Sequence, residues 1–261
     1  MNVDFHVHTN RSVDGVHSPR AMVKCARAAG LDAIAITDHN RLFPWIEAQR
    51  LAKEFGVLVI PGIEGGDIAI QKHWLALGIM VPPAGWAIKS VLRRIRNQGG
   101  LCVAPHPHTR LGYGNYAALG FDAVESLNGA EPGSNRQVRN VTHIPEVAGS
   151  DAHAGPMLGT VWTEVDAEGT AEDVLEAVRH GRCTPAGTTI PGRDILNYYY
   201  LYAVHRVILS PLDAFASLRL VIRNMKKAHA IETSRSNRLP QEVPGDSHSF
   251  RSSPADSLDW H

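Results

Sequence analysis

The residues best suited to chemistry fall in six short motifs between positions 6 and 153. In DFHVHT, His6 and His8 are two apart on a segment that reads as a strand, so both rings point the same way. Two imidazoles on one face of a strand end make a natural pincer for a metal ion. ITDHN puts Asp38 and His39 directly after the apolar run LDAIAI, where polar groups need partners. VIPGIEGG sets Glu64 among glycines, and His73 stands beside the strand-like WLALGI. CVAPHPHT places His106 and His108 after another apolar strand, with Pro105 and Pro107 stiffening the turn. VAGSDAH repeats the spacing with Asp151 and His153. Taken singly, each motif also fits a structural role, such as a turn, a helix N-cap or a solvated surface. Taken together, they put a His, Asp or Glu after nearly every expected strand. Neutral imidazole and carboxylate are the usual ligands of Zn, Mn and Fe. No cysteine takes part, which points to a catalytic site with positions open for water and substrate rather than a closed structural zinc site.

The elements that must position these groups alternate along the chain. Strands are expected at Asn2–His8, Leu31–Thr37, Val57–Ile60, Leu101–Ala104, Phe121–Leu127 and Ile144–Gly149. A hairpin is expected from Asp67–Ile70 and Trp74–Met80. Helices are expected from the Ser18-Pro19 start to Gly30, across Pro44–Phe55 and Ala84–Gln98, and after Thr170, where Asp173 completes a capping box and Gly181 ends the helix. This order predicts an α/β fold with a largely parallel sheet, open or closed into a barrel. Side chains just past the carboxyl ends of its strands converge on one face. Residues 194–229, with four tyrosines ahead of an apolar, Arg-bearing stretch, read as a helical appendage to a domain spanning 1–193. Residues 230–261 read as a disordered tail.

Composition narrows the classes. The 26 Lys+Arg balance the 26 Asp+Glu, without the basic footprint of a protein that holds duplex DNA by its phosphates. Duplex DNA is therefore not the expected partner. A small phosphorylated substrate is, because bound metals supply positive charge locally. Cys25, Cys102 and Cys183 are far apart and read as thiols in a reducing compartment. No signal peptide opens the sequence and no run reaches the ~18 apolar residues of a spanning helix, so a cytoplasmic location is expected. Oligomeric state is left open.

DFHVHT, TDHN, GIE, HP and GSDAH, in this order, resemble the motifs of the PHP (polymerase and histidinol phosphatase) family over about residues 1–190. The resemblance implies a distorted seven-stranded β/α barrel, two or three divalent metal ions (Zn, Mn or Fe) and phosphoester hydrolysis. It implies that His6, His8, Glu64 and Asp151 hold one metal. Glu64 would bridge to a second completed by His73 and His106, and Asp14, His39 and His153 would hold a third. The family's acidic ligand sits in S-D-G, whereas this chain reads SVDG; Asp14 is taken, with His17 as the alternative. His39 and Glu64 count with the catalytic set, as does Asp38, which would orient a ligand from behind or cap a turn. The expected mechanism is in-line attack of a metal-bound hydroxide on phosphorus. His108, Arg110, Arg136 and Arg193 are within the range of residues that could touch phosphate. The expected substrate is a nucleotide, such as a nucleoside 3′,5′-bisphosphate, or an oligonucleotide end, with histidinol phosphate as an alternative. Two other classes compete: a metal-dependent hydrolase of amides or other carbonyl compounds, and a non-catalytic metal-binding module.

Overall fold

A computed structural model describes residues 1–66, 72–85, 87–130 and 143–189. The expected appendage at 194–229, the tail at 230–261, Arg136 and Arg193 lie outside them. Among the described residues, nine strands form one mixed sheet: β1 (Asn2–Val7), β2 (Ala33–Ile36), β3 (Leu58–Gly66), β4 (His73–Leu77), β5 (Leu101–Ala104), β6 (Ala123–Asn128), β7 (Glu146–Gly149), β8 (Val161–Val165) and β9 (Cys183–Gly187). The helices are α1 (Pro19–Ala28), α2 (Trp45–Phe55), α3 (Ile88–Arg96), α4 (Tyr116–Leu119) and α5 (Ala171–Arg179).

The strand order is β7-β6-β5-β4-β3-β2-β1-β8-β9. Strands β1, β2 and β3 are mutually parallel, as are β5, β6 and β7, while β4 runs antiparallel between the two groups. Six parallel strands therefore end at one rim. The reversed β4 begins there, with its first residue, His73. The sheet curls until β7 lies beside β1 and β8, giving a nearly closed barrel. Where the strand ladder stops, the His8 amide donates to the Ala152 carbonyl at 2.8 Å, and side chains complete the closure. The Thr163 hydroxyl on β8 accepts from the amide of Ala148 at 2.7 Å and lies 3.2 Å from the Ala148 carbonyl. The Asp4 carboxylate on β1 accepts from the amide of Ser150 at 2.9 Å.

The barrel interior below the rim is apolar. Val3, Phe5, Ala35, Ile60, Leu75, Leu101, Val103 and Val147 pack there against Val174, Leu175 and Val178 of α5. Outside, α1 and α2 cover β1–β3 through Met22, Val23 and Leu51, and α3 covers β4–β6 through Val91, Leu92 and Ile95. The helix starts follow their sequence signals. Ser18 accepts from the amide of Ala21 ahead of Pro19, and Thr170 and Asp173 form the reciprocal capping box.

Three differences from the sequence reading matter. First, β3 runs on through PGIEGG, so Glu64 sits on the strand rather than past it. Second, β8 and β9 extend the barrel beyond the seven strands expected. Third, the register slips by one residue between Asp4 and Val7 on β1, and again between Glu125 and Leu127 on β6. Both irregularities sit beside the groups described next, where bulges serve to re-aim side chains.

Candidate metal centre

The rim gathers His6 on β1 and His8 just past it, Asp14 from the following loop, His39 after β2, Glu64 on β3, His73 opening β4, His106 after β5, and Asp151 and His153 after β7. All nine expected ligands are brought together. Eight of them fall in three groups whose donor atoms lie within 4.8 Å of one another: His6, His8 and Asp151; His39, Glu64 and His73; and His8, Asp14, His39 and His153; His106 joins through Glu64. Glu64, 1% exposed, lies at the middle. Its Oε2 is 3.4 Å from His6 Nε2, 3.3 Å from His8 Nε2 and 3.0 Å from His39 Nδ1. Its Oε1 is 2.8 Å from His73 Nδ1 and 3.3 Å from His106 Nε2. Asp151 Oδ1 is 3.5 Å from His6 Nε2 and 3.2 Å from His8 Nε2. Asp14 Oδ2 is 3.2 Å from His39 Nε2 and 3.3 Å from His153 Nε2.

These contacts pass a chemical test for metal ions. His6 Nε2, His8 Nε2 and His73 Nδ1 are buried and lack an aligned hydrogen-bond partner, despite their closeness to carboxylate oxygens. Buried polar atoms are normally satisfied. Several imidazole nitrogens and carboxylate oxygens aimed at shared points fit a divalent cation set of N and O donors. The far side of each ring is arranged to match. His8 Nδ1 is 3.2 Å from Ser12 Oγ, and that hydroxyl also accepts from the amide of His39 at 2.8 Å and donates toward Asp38. With its proton given to Asp38, Ser12 accepts from His8 Nδ1–H and leaves Nε2 as a lone pair at the centre. His106 Nδ1 is 3.1 Å from Thr109 Oγ1, whose proton goes to the His106 carbonyl, and His153 Nδ1 donates to the Asp151 carbonyl at 2.8 Å.

Without a metal, protons fill the same role. Burial alone would lower the His39 pKa, but the charges of Glu64 and Asp14 outweigh it and raise the imidazole to about 11. Burial opposes the charged form of His6 as well, yet Asp151, Glu125 and Glu64 hold its pKa well above the ordinary value. His106 and His153 are also raised, against burial, by Glu64 and Asp14 respectively. Burial would raise Glu64, Asp151 and Asp14; their histidine neighbours win and hold all three carboxyls below the ordinary range. The backbone is constrained here too. The non-glycine residues with left-handed φ among those described are Asn40, His106 and Asp151, at 53°, 29° and 52°. Such conformations cost energy and cluster at functional sites.

Two expectations are refined. Asp38 is not among the grouped donors. Its carboxylate accepts from the amide of Thr9 at 2.6 Å and from the hydroxyls of Thr9 and Ser12, so it reaches the centre only through Ser12. His17 is not grouped either; its Nδ1 accepts from the amide of Gly155 at 3.2 Å, and Asp14 takes the place beside His39 and His153. Several site residues escaped the sequence reading: Glu125, Asn128, Asp4, Ser12 and Thr109. Glu125 alone carried a signal, as an acid inside the apolar strand DAVESL. A cavity of about 410 Å³ adjoins the rim outside the β3–β4 hairpin, lined by Asn40, Ile63, Gly66, Trp74 and Tyr113 among others.

Comparison with known proteins adds descent to geometry. Residues 4–104 match the PHP domain model and residues 134–183 the PHP-associated model. An uncharacterized protein of Methanocaldococcus jannaschii is 35% identical over 119 residues, which is 42% of this chain and 69% of that protein. A 5′-3′ exoribonuclease of Haemophilus influenzae is 37% identical over 78 residues, 30% of this chain and 26% of the enzyme. Among solved structures, a two-domain protein from Bacteroides vulgatus, described as containing a predicted PHP-like metal-dependent phosphoesterase, superposes with a TM-score of 0.59 at 21% identity, over 78% of this chain and 70% of that one. Endonuclease Q, solved with a 27-mer duplex bearing an abasic lesion, superposes with a TM-score of 0.51 at 16% identity, over 72% of this chain and 60% of that one.

Proposed function

Since the chain belongs to the PHP domain family and is a metal-dependent phosphoester hydrolase, we propose that its substrate is a nucleotide or the end of an oligonucleotide. The observation that carries the site assignment is the convergence of unpartnered buried nitrogens on the carboxylates of Glu64 and Asp151. In this reading His6, His8, Glu64 and Asp151 hold one divalent ion, Glu64, His73 and His106 a second, and Asp14, His39 and His153 a third. Bound ions of this kind supply an activated water and positive charge for the phosphoryl oxygens. Glu64 turns Oε2 toward His8 and Oε1 toward His73, so one carboxylate would contribute to both ion sites. Ser12, Thr109 and the Asp151 carbonyl hold the far nitrogens of His8, His106 and His153 protonated, so that the near nitrogens stay available. No seryl or cysteinyl nucleophile is required.

Support for the nucleotide class comes from relatives. The exoribonuclease shares 37% identity over its matching segment, and Endonuclease Q shares the fold. The latter was solved on a duplex, so this chain's balanced charge is no ground for setting duplex DNA aside. Among the described residues, no helix is long and apolar enough to cross a membrane.

Turnover of bis-p-nitrophenyl phosphate, p-nitrophenyl phosphate and adenosine 3′,5′-bisphosphate by metal-loaded protein tests the proposal, beside a His8→Ala variant with metal counted on both. The parent is expected to hydrolyse the bisphosphate, and the variant to lose more than about 100-fold in rate together with bound metal. An inactive parent carrying its full metal would overturn the assignment.

A further inference from the structure

Glu125 is a buried carboxylate, 1% exposed on β6, that holds no place among the grouped donors. Its Oε1 lies 3.0 Å from His6 Nδ1. Its Oε2 accepts from the amide of His106 at 2.8 Å and from the side-chain amide of Asn128 at 2.8 Å, and that same Asn128 nitrogen is 3.5 Å from Asp151 Oδ2. One carboxylate thus touches the segments that carry three of the proposed ligands, from β1, β5 and, through Asn128, the end of β7. Gly149 on β7 makes room for this carboxylate. A β-carbon on Gly149 would lie 2.4 Å from Glu125 Oε1 and 2.4 Å from the β-carbon of His6.

The chemistry of these partners is one-sided. A backbone amide and a carboxamide nitrogen only donate, so Oε2 must accept, and an ionised carboxylate offers acceptors alone on both oxygens. As an acceptor, Oε1 would take the His6 Nδ1 proton and leave Nε2, which faces Asp151 and Glu64, as the nitrogen able to ligate. We propose that Glu125 is a positioning residue of the metal centre. It selects the His6 tautomer that can ligate, and it pins the start of the His106 turn with its other oxygen. The inference rests on the metal-centre reading above.

Glutamine at this position is the same size with the opposite logic. If its carboxamide nitrogen faces His106 N–H and Asn128, donors meet donors. If it faces His6 Nδ1, the proton moves to Nε2 and blocks the ligand position. The test is zinc titration of the metal-free parent and Glu125→Gln, with stoichiometry and affinity measured by competition against a chromophoric chelator. Long-range proton–nitrogen NMR of the histidines in both zinc-loaded proteins accompanies it, with circular dichroism to establish folding. The expected result is a folded variant that binds zinc about 10–100-fold more weakly or lacks one ion, and whose His6 no longer shows a zinc-bound Nε2. Parent-like stoichiometry, affinity and His6 spectrum in the variant would overturn the proposal. If the variant does not fold, the parent spectrum decides alone. Nδ1–H with Nε2 on zinc supports the assignment, and the reverse tautomer refutes it. A parent that binds zinc without hydrolysing any phosphoester defeats the functional reading but leaves this experiment intact.

Discussion

An imidazole is a ligand only when its proton sits on the far nitrogen, and four of the six histidines of the centre have a group behind them to hold it there. Ser12 does this for His8, Thr109 for His106, a carbonyl for His153 and Glu125 for His6. Ser12→Ala removes the acceptor for His8 Nδ1–H and for the His39 amide, while Asp38 keeps its bonds from Thr9. We expect zinc affinity or hydrolysis to fall about 10–100-fold with little change in fold, as measured by metal titration and kcat/KM. The imidazoles and carboxylates at the centre were legible in the sequence because HxH, DH, GIE, HP and DAH recur in order after apolar runs, although each alone is a weak signal. Ser12 and Thr109 were not. Loop hydroxyls are commonplace, and nothing in their neighbours says which nitrogen they will meet. Asp38 could be read only as polar and buried; its direction, toward Thr9 rather than into the centre, depends on how the loop after β1 folds back.

At the level of elements, strand direction decides what reaches the rim. Reading ligands after strands works for β1, β2, β5 and β7. It fails for His73, which precedes its strand because β4 runs the other way. The length of β3 was hidden by Pro61 and the glycines around Glu64, residues of low strand propensity held in place by pairing on both sides. Likewise β9, CTPAG, carries a proline and a glycine tolerable only on an edge, which is where the sheet order puts it. The helices were plainer, since caps such as Thr170 with Asp173 act locally. The least legible device is the contact between β7 and β8, where a threonine side chain stands in for a strand partner. Thr163→Val keeps the shape and removes the acceptor for Ala148 N–H. It is expected to cost about 1–3 kcal/mol in denaturant unfolding, the penalty of a buried unsatisfied donor.

For the whole molecule, metal and proton compete for one site, and stability should report it. The folded metal-free protein holds His39 at about 11, above its ordinary 6.5, and burial pushes Asp4 up to about 7 from 3.8 against the lowering hydrogen bonds from Ser150. Both pKa values are raised on folding, so these two groups hold extra protons in the folded chain, Asp4 between about pH 3.8 and 7 and His39 between about pH 6.5 and 11; above pH 6.5 the lowered carboxyls of the centre are ionised in both states and no longer offset this. The stability they contribute is complete below the unfolded value and is lost as pH rises through the folded one. Chelated protein should therefore melt at progressively lower temperature from about pH 6.5 upward, as judged by calorimetry. Metal-loaded protein should gain about 2.7 kcal/mol when free metal exceeds Kd by about a hundredfold. A melting temperature indifferent to chelator across this range would contradict the site.

The unladdered join between β7 and the β1–β8 side has a mechanical meaning. His6 and His8 stand on one side of that join and Asp151 on the other, so an ion held among them would add a tie to a seam already joined by the His8 amide to the Ala152 carbonyl at 2.8 Å and by Thr163 and Asp4. That join is bridged by fewer backbone bonds than the laddered strands, so an ion held there for hydrolysis would also stiffen the barrel along it.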